Sequence, residues 1–311
     1  MYHSMNYFDV PALSYSKIKN FSIHPKYYKA QEEKANKSTR AMNNGSLFDL
    51  LLTEPDKADN VFISLPGPNE TTQLGILYKS LKNYILDKGT ADVVVLEELY
   101  NKVGFKQKSF IKIIEEIRPF QDGLNKELEA ISEGKLIVTH EDYEKTTNVF
   151  NRFKNSEVYN KYLKDFDNKF QLQIFGKIYN TDFKCKPDII NEEVFDLKLT
   201  KPSEFLVGYE RFRYFYQAAV YITMLNNEGH SFTSFNFITV DPEGIQPPLI
   251  YRIALNKCKE ILAGDEHGYF KINNKEYKSV YKIVNEIEWH ENNNMWDYEM
   301  DVYLNDYKIE I

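Results

Sequence analysis

The stretch 171–221 sets the tightest limits on how this chain folds. Two runs within it, 182–190 and 193–199, are rich in Val, Ile, Leu and Phe and flank the turn-prone Asn191-Glu192, which predicts a β-hairpin. Side chains alternate faces along a strand, so Asp196 and Lys198 share one face while Val194, Phe195, Leu197 and Leu199 supply apolar contacts. Asp188 follows Pro187 on the partner strand and is expected to face Asp196. Two carboxylates converging at a strand end are costly unless a cation neutralises them, and hard oxygen ligands favour Mg²⁺ or Mn²⁺. Lys198 is then placed to orient or deprotonate an attacking water, or to neutralise charge on a phosphate. An Asp-x-Lys on an exposed hairpin also arises by chance, so the segment that follows carries weight. It predicts a helix over 207–226 on which Arg213, Gln217 and Tyr221 recur every four residues and share a face, with Phe212, Phe215 and Ala219 left for packing. A polar stripe beside a carboxylate pair points to metal-dependent phosphodiester chemistry.

Around this stretch the chain reads as an α/β (α+β) protein with a mixed central sheet flanked by helices and a helical N-terminal part. Helical patterns cover 42–62, ending near Glu54-Pro55, then 74–87, 108–131 and one or two helices in 139–166. Strands are expected at 170–179, 182–190, 193–199 and 234–240, and 249–263 reads as a strand passing into a helix. The expected divisions are a helical part over 1–135 packed on the core, a core over 136–265, and an acidic extension over 266–311.

The motifs resemble those of the PD-(D/E)xK nuclease superfamily in its RecB-like branch, with the Q-x-x-x-Y helix as Gln217-Ala218-Ala219-Val220-Tyr221. More closely, residues 10–260 resemble phage and prophage recombination exonucleases of the exodeoxyribonuclease VIII type. The C-K-x-x-P-D strand of that group stands here as Cys185-Lys186-Pro187-Asp188 without the two intervening residues, and its D-L-K-T-T strand as Asp196-Leu197-Lys198-Leu199-Thr200. The α-β-β-β-α-β order matches the core of that superfamily.

The resemblance implies a Mg²⁺-dependent exonuclease of linear duplex DNA, with Mn²⁺ as a substitute, acting 5′ to 3′ in phage-type recombination. It implies Asp188, Asp196 and the Leu197 carbonyl as metal ligands and Lys198, Gln217 and Tyr221 as catalytic groups. Where relatives carry G-x-x-x-H with a ligand histidine, this chain has Gly45 and Asp49, so Asp49 is expected as a further ligand. Where relatives have a glutamate in the first strand, it has Gln171, with Gln173 as the alternative. A glutamine carbonyl can hold Mg²⁺ or its water but adds no charge. Implied partners are duplex DNA ends, a single-strand annealing protein and further copies in a ring. The same motif also serves restriction-like or structure-specific endonucleases, and the two altered positions fit a weakened DNA-binding or partner-binding relative.

A net charge of −7 is unusual for a protein that holds DNA, but from Glu286 onward eight acidic residues face one lysine, which accounts for the whole deficit. Phosphate affinity depends on where cations stand and not on their sum. The segment 11–40 supplies Lys17, Lys19, Lys26, Lys29, Lys34, Lys37 and Arg40 around Tyr27 and Tyr28, and Lys17, Lys19, Lys26, Tyr28 and Arg213 are the expected DNA contacts. A solvated basic helix face accounts for this run equally well. Neither an apolar run long enough to span a bilayer nor a signal-peptide pattern is present, which predicts no membrane partner and a cytoplasmic protein of a bacterial or phage-infected cell. Cys185 and Cys258 are too few for the four-thiolate cluster of some RecB-like relatives, and no disulfide is expected in that compartment. His290, beside acidic residues in the tail, reads as a packing residue and not as a ligand.

Overall fold

A computed structural model describes residues 7–32 and 39–308. The backbone divides into two units, one formed by Met1–Lys37 with Val149–Ile311 and the other by Ser38–Asn148. These divisions differ from those expected at 135 and 265, for two reasons. The N-terminal segment is tied to the sheet unit, because the Leu13 N–H donates to the Asp182 carbonyl at 2.9 Å and Lys184 N–H donates back to the Leu13 carbonyl at 2.8 Å. The acidic C-terminal segment is no appendage either, since its Val280, Ile283, Val284 and Ile287 lie in the principal apolar core.

The first unit opens with α1 (Tyr15–Ile23) and α2 (Pro25–Glu32). The second unit contains α3 (Arg40–Thr53), β1 (Val61–Ser64), α4 (Gln73–Lys88), α5 (Val93–Val103), α6 (Phe110–Ile117), α7 (Gln121–Ser132) and β2 (Leu136–Thr139), and leads into α8 (His140–Lys154). Thr39, Thr72, Asp92 and Ser109 each stop one helix N-terminus by accepting a backbone N–H three residues on. The expected single helix over 108–131 is two, parted at Arg118-Pro119-Phe120, where proline removes a backbone donor. Leu77, Ile113 and Ile117 are the centre of that unit's core.

The first unit resumes with α9 (Glu157–Tyr162), β3 (Lys169–Phe170), β4 (Ile174–Ile178), β5 (Thr181–Cys185), β6 (Ile189–Ile190), β7 (Val194–Leu199), α10 (Phe205–Arg211), α11 (Tyr214–Asn227), β8 (Ser234–Val240) and β9 (Leu249–Ala254). A mixed sheet runs β3-β6-β7-β8-β9, in which β7 and β8 are parallel and the other neighbours antiparallel. The expected strands 170–179 and 182–190 are both divided. Gln171 takes a left-handed φ of 50°, which ends β3. Pro187 lacks a ladder N–H, so β5 forms a separate hairpin with β4, bridged on its other edge by Leu13, and just Ile189–Ile190 pairs with β7. Every residue of β8 is buried, as a strand covered on both faces requires.

The expected helix over 207–226 is also broken. Arg213 sits at φ 56°, ψ 41°, which separates α10 from α11. α11 packs against β4, β5, β8 and the following α12 (Leu255–Ala263) and buries residues on every side, the pattern of a core helix. The hairpin β10 (Tyr269–Ile272) and β11 (Lys275–Lys278) turns at Asn273-Asn274, both at positive φ. Then α13 (Val280–Asn293) and α14 (Met300–Leu304) close the unit. Among the described residues no helix is long and apolar enough to cross a membrane.

Candidate active site

Asp188 stands in the gap that Pro187 opens between β5 and β6. Extending the β6–β7 register by one residue places it opposite Asp196. Its carboxylate is fixed at both oxygens: Gln171 Nε2 donates to Oδ1 at 2.9 Å and the Leu197 N–H donates to Oδ2 at 2.7 Å. The Gln171 N–H also donates to the Asp188 carbonyl at 3.1 Å, so the left-handed turn at Gln171 delivers a two-point clasp. Each Asp188 oxygen retains a free lone pair. Burial, and then the adjacent Asp196 carboxylate, push the Asp188 carboxyl up to about 7, although Lys198 and the two donors oppose the shift.

Asp196 is 3% exposed at the middle of β7. Gln217 Nε2 on α11 donates to its Oδ1, and the Lys198 ammonium ion-pairs with its Oδ2. Burial works against the Lys198 charge, but Asp196, Tyr214 and Asp188 together hold its pKa above that of an ordinary lysine. The ammonium also lies 4.6 Å from the centre of the Tyr214 ring and 5.7 Å from that of Phe237, the cross-strand partner of Asp196. It is therefore a fixed cation. Tyr221 is buried on α11 within the apolar core, and burial first, then Asp196, keeps its hydroxyl protonated. Thus Asp188, Asp196, Lys198, Gln171, Gln217 and Tyr221 are brought together. Gln173 is exposed and Gln171 is the residue of the first strand that reaches the site.

Tyr214, Tyr15 and Phe237 were not legible as site residues. Tyr15 and Tyr214 rings lie 6.4 Å apart, and Lys19 Nζ lies 5.8 Å from the Tyr15 ring centre. Burial and the nearby Lys198 charge lower the Lys19 pKa. Lys19 thus faces the rim of the site. A signal for Tyr214 does exist in its spacing, three residues before Gln217 on the same helix.

Other expected DNA contacts stand differently. Tyr28 is 2% exposed, stacked on Trp296 and set edge-on to Phe21, so it is a core residue and offers no surface for a base. Lys17 pairs with Glu32 at 3.2 Å and Lys26 with Asp297 at 2.7 Å. Arg40 holds the buried Asp142 at 2.7 Å. Lys34 and Lys37 lie outside the described residues. Arg213 does not share the stripe of Gln217 and Tyr221: its left-handed backbone turns the guanidinium to the Ser22 hydroxyl and the Tyr277 ring.

The donor set suits a hard divalent cation. Gln217 Oε1 is buried and accepts no hydrogen bond among the described residues, while Asp196 Oδ2 has the Lys198 ammonium as its partner; two carboxylates sharing one ammonium beside an unsatisfied buried oxygen are what a cation relieves. Among the described residues no three His, Cys, Asp or Glu side chains converge. One or two carboxylates completed by neutral oxygens and water is a Mg²⁺ pattern. Asp49 stands half-buried on α3 of the second unit, where its carbonyl accepts the Thr53 hydroxyl at 2.8 Å. His290 is fully buried among aromatic rings, as a packing residue. Both cysteines are free and buried.

The profile of a family described as a PDDEXK-like domain of unknown function (DUF3799) matches residues 14–286. The chain is also similar to the crystal structure of a candidate exonuclease from Eubacterium rectale, with a TM-score of 0.50 and 13% identity over 100% of this chain and 92% of that one. At that identity the likeness concerns the fold. No curated protein sequence matches this chain significantly.

Proposed function

The chain belongs to the PDDEXK-like domain family, and from that premise we propose that it is a Mg²⁺-dependent deoxyribonuclease degrading linear duplex DNA from its ends, 5′ to 3′, in phage-type recombination. The observation that carries the nuclease reading is the convergence of the buried Asp196 carboxylate, the half-buried Asp188 carboxylate and one fixed ammonium around β7, with the buried Gln217 Oε1 left unsatisfied beside them. The exonuclease choice and its polarity rest on the motif resemblance.

Asp188 and Asp196 would hold the cation, with the Leu197 carbonyl and the Gln217 amide oxygen as further oxygens, and the motif resemblance alone adds Asp49. When bound, Mg²⁺ supplies Lewis acidity to the phosphoryl group and acidifies a ligated water. Gln171 and the Leu197 N–H hold the Asp188 carboxylate in one orientation, and Gln217 does the same for Asp196. Lys198 is held charged by Asp196, Tyr214 and Asp188. It positions the attacking water and offsets charge growing on the phosphoryl oxygens. Tyr221, neutral and at the back of the site, supports the α11 face that aligns the scissile strand.

The test is degradation of end-labelled linear duplex against covalently closed duplex of the same sequence. Linear DNA should be consumed with Mg²⁺ and spared with chelator, and closed circles should survive. Equal cutting of both forms would replace the exonuclease reading with an endonuclease, and cutting of neither under any divalent metal would remove the nuclease reading.

A further inference from the structure

The break between α10 and α11 leaves a cleft of about 480 Å³, walled by α10 on one side and the β10–β11 hairpin on the other. Its charged lining is Glu210, Arg211, Arg213 and Lys275. Glu210 is the one acid there, and it is spent: it ion-pairs with Lys275, accepts the Tyr277 hydroxyl at 3.0 Å and the Asn273 amide at 3.4 Å. Neither Arg211 nor Arg213 has a carboxylate within ion-pair distance among the described residues. Arg211 is exposed, with its guanidinium 5.4 Å from the Phe212 ring centre, and Arg213 lies 5.8 Å from that of Tyr277. In a chain of negative net charge, two uncompensated guanidinium groups in one concavity mark an anion site. Their planar forks suit phosphate oxygens better than a point charge does.

The cleft is joined to the carboxylate pocket through the break itself. The Phe212 ring lies 5.6 Å from that of Tyr214, which carries the Lys198 ammonium on its face. Tyr15 fastens the junction by donating its hydroxyl to the Phe212 carbonyl at 2.6 Å. Arg213 is held there in the left-handed region, which a non-glycine residue adopts only at a cost. Leu206 and Val207, exposed on α10, give the outer lip an apolar surface.

We propose that this cleft is a phosphate-binding subsite, distinct from the metal pocket, that holds the backbone of a DNA strand as it passes the active site. The proposal rests on the nuclease reading but is tested without cleavage. Fluorescence anisotropy in chelator, with labelled single-stranded and duplex oligonucleotides, would compare the parent with Arg211→Ala, Arg213→Gly and a control, Lys259→Ala, on the exposed side of α12. Glycine tolerates the backbone conformation of Arg213, so that variant removes the side chain, with its contacts to Ser22 and Tyr277, without straining the backbone. Each cleft variant should bind about tenfold more weakly, the value of one charge-assisted phosphate contact. The slope of log affinity against log salt for single strands should fall by about 0.7 per contact. The control should match the parent. Parent-like affinity and slope in both cleft variants would overturn the subsite while leaving the nuclease reading intact. Loss of affinity for a free mononucleotide but not for oligonucleotides would overturn the strand in favour of a free phosphate. A parent that binds no DNA would overturn both readings.

Discussion

Two places in the first unit bury ionic groups, and they resolve the cost in opposite ways. Near the C-terminus, Lys278 bridges Glu286 at 2.6 Å and also pairs with Glu299, while Lys282 stands 4.0 Å from Glu286. Two acids meet two lysines there. The neighbouring His290 is sealed by Phe21, Trp289, Trp296 and Tyr303 and places Nδ1 against the Met295 carbonyl. In the carboxylate pocket, Asp188 and Asp196 share the one Lys198, and a negative charge is left over. A histidine among acids can suggest a metal site, as a strand carrying Asp-x-Lys does. Charge balance separates the two, because the C-terminal network is already neutral while the pocket still calls for a cation.

The sharpest way to break this contrast is to remove one lysine from each place. Lys198→Ala should lower cleavage by about 10² to 10³, the range for losing one preorganised donor to a developing charge, and the stability lost by leaving buried Asp196 unpaired should be restored by Mg²⁺. Lys278→Ala should do the reverse: buried Glu286 keeps only the longer contact to Lys282, which destabilises the fold by about 3–5 kcal/mol, while cleavage per folded molecule is retained. Denaturant unfolding beside initial rates would read both. A Lys278→Ala protein of normal stability but low activity would erase the distinction.

Proton linkage gives a smaller effect confined to the pocket. The Asp188 carboxyl is raised from 3.8 to about 7, so the folded protein binds more protons than the unfolded chain between those values. Without metal, stability should therefore fall as pH rises through that window. A cation removes the penalty by binding the ionised form. The melting shift produced by Mg²⁺ should be larger at pH 8 than at pH 6, and Asp188→Asn should abolish the difference. An equal shift at both pH values in the parent would place the metal elsewhere.

The smallest expected effect concerns the two altered family positions. Asp49→Ala should weaken Mg²⁺ dependence more than Gln171→Ala, since an anionic ligand offsets more of a cation's lost hydration than an amide does. Gln171→Ala should act through Asp188, which loses its Oδ1 donor. Titrating cleavage rate against Mg²⁺ separates the two. Identical curves for Asp49→Ala and the parent would make Asp49 an ordinary helix residue.

Much of the core was legible because side-chain alternation and hydrophobic runs are local. The strand 234–240, the strand-to-helix passage at 249–263 and the shared face of Asp196 and Lys198 followed from that alone. What escaped depends on single backbone positions. Pro187 and Gln171 divide strands that composition makes continuous, and the division is what admits Asp188 and Gln171 to the site. Arg213 divides a helix that its neighbours favour, which removes its own side chain from the stripe of Gln217 and Tyr221. Tyr28 shares the composition of a DNA-stacking segment, but its burial against Trp296 is a contact across nearly the whole chain, which no local pattern encodes. The β10–β11 hairpin had a readable signal in Asn273-Asn274 between two alternating runs.

The central claim is that the unbalanced carboxylate pair binds a divalent cation and turns it to phosphodiester hydrolysis. Asp196→Asn tests it most directly, because the amide keeps the size of the side chain while removing its charge and turning one acceptor oxygen into a donor. End-labelled linear duplex incubated with Mg²⁺ should be degraded by the parent and persist with the variant, while circular dichroism shows both proteins folded. Degradation by Asp196→Asn at the parent's rate would contradict the account.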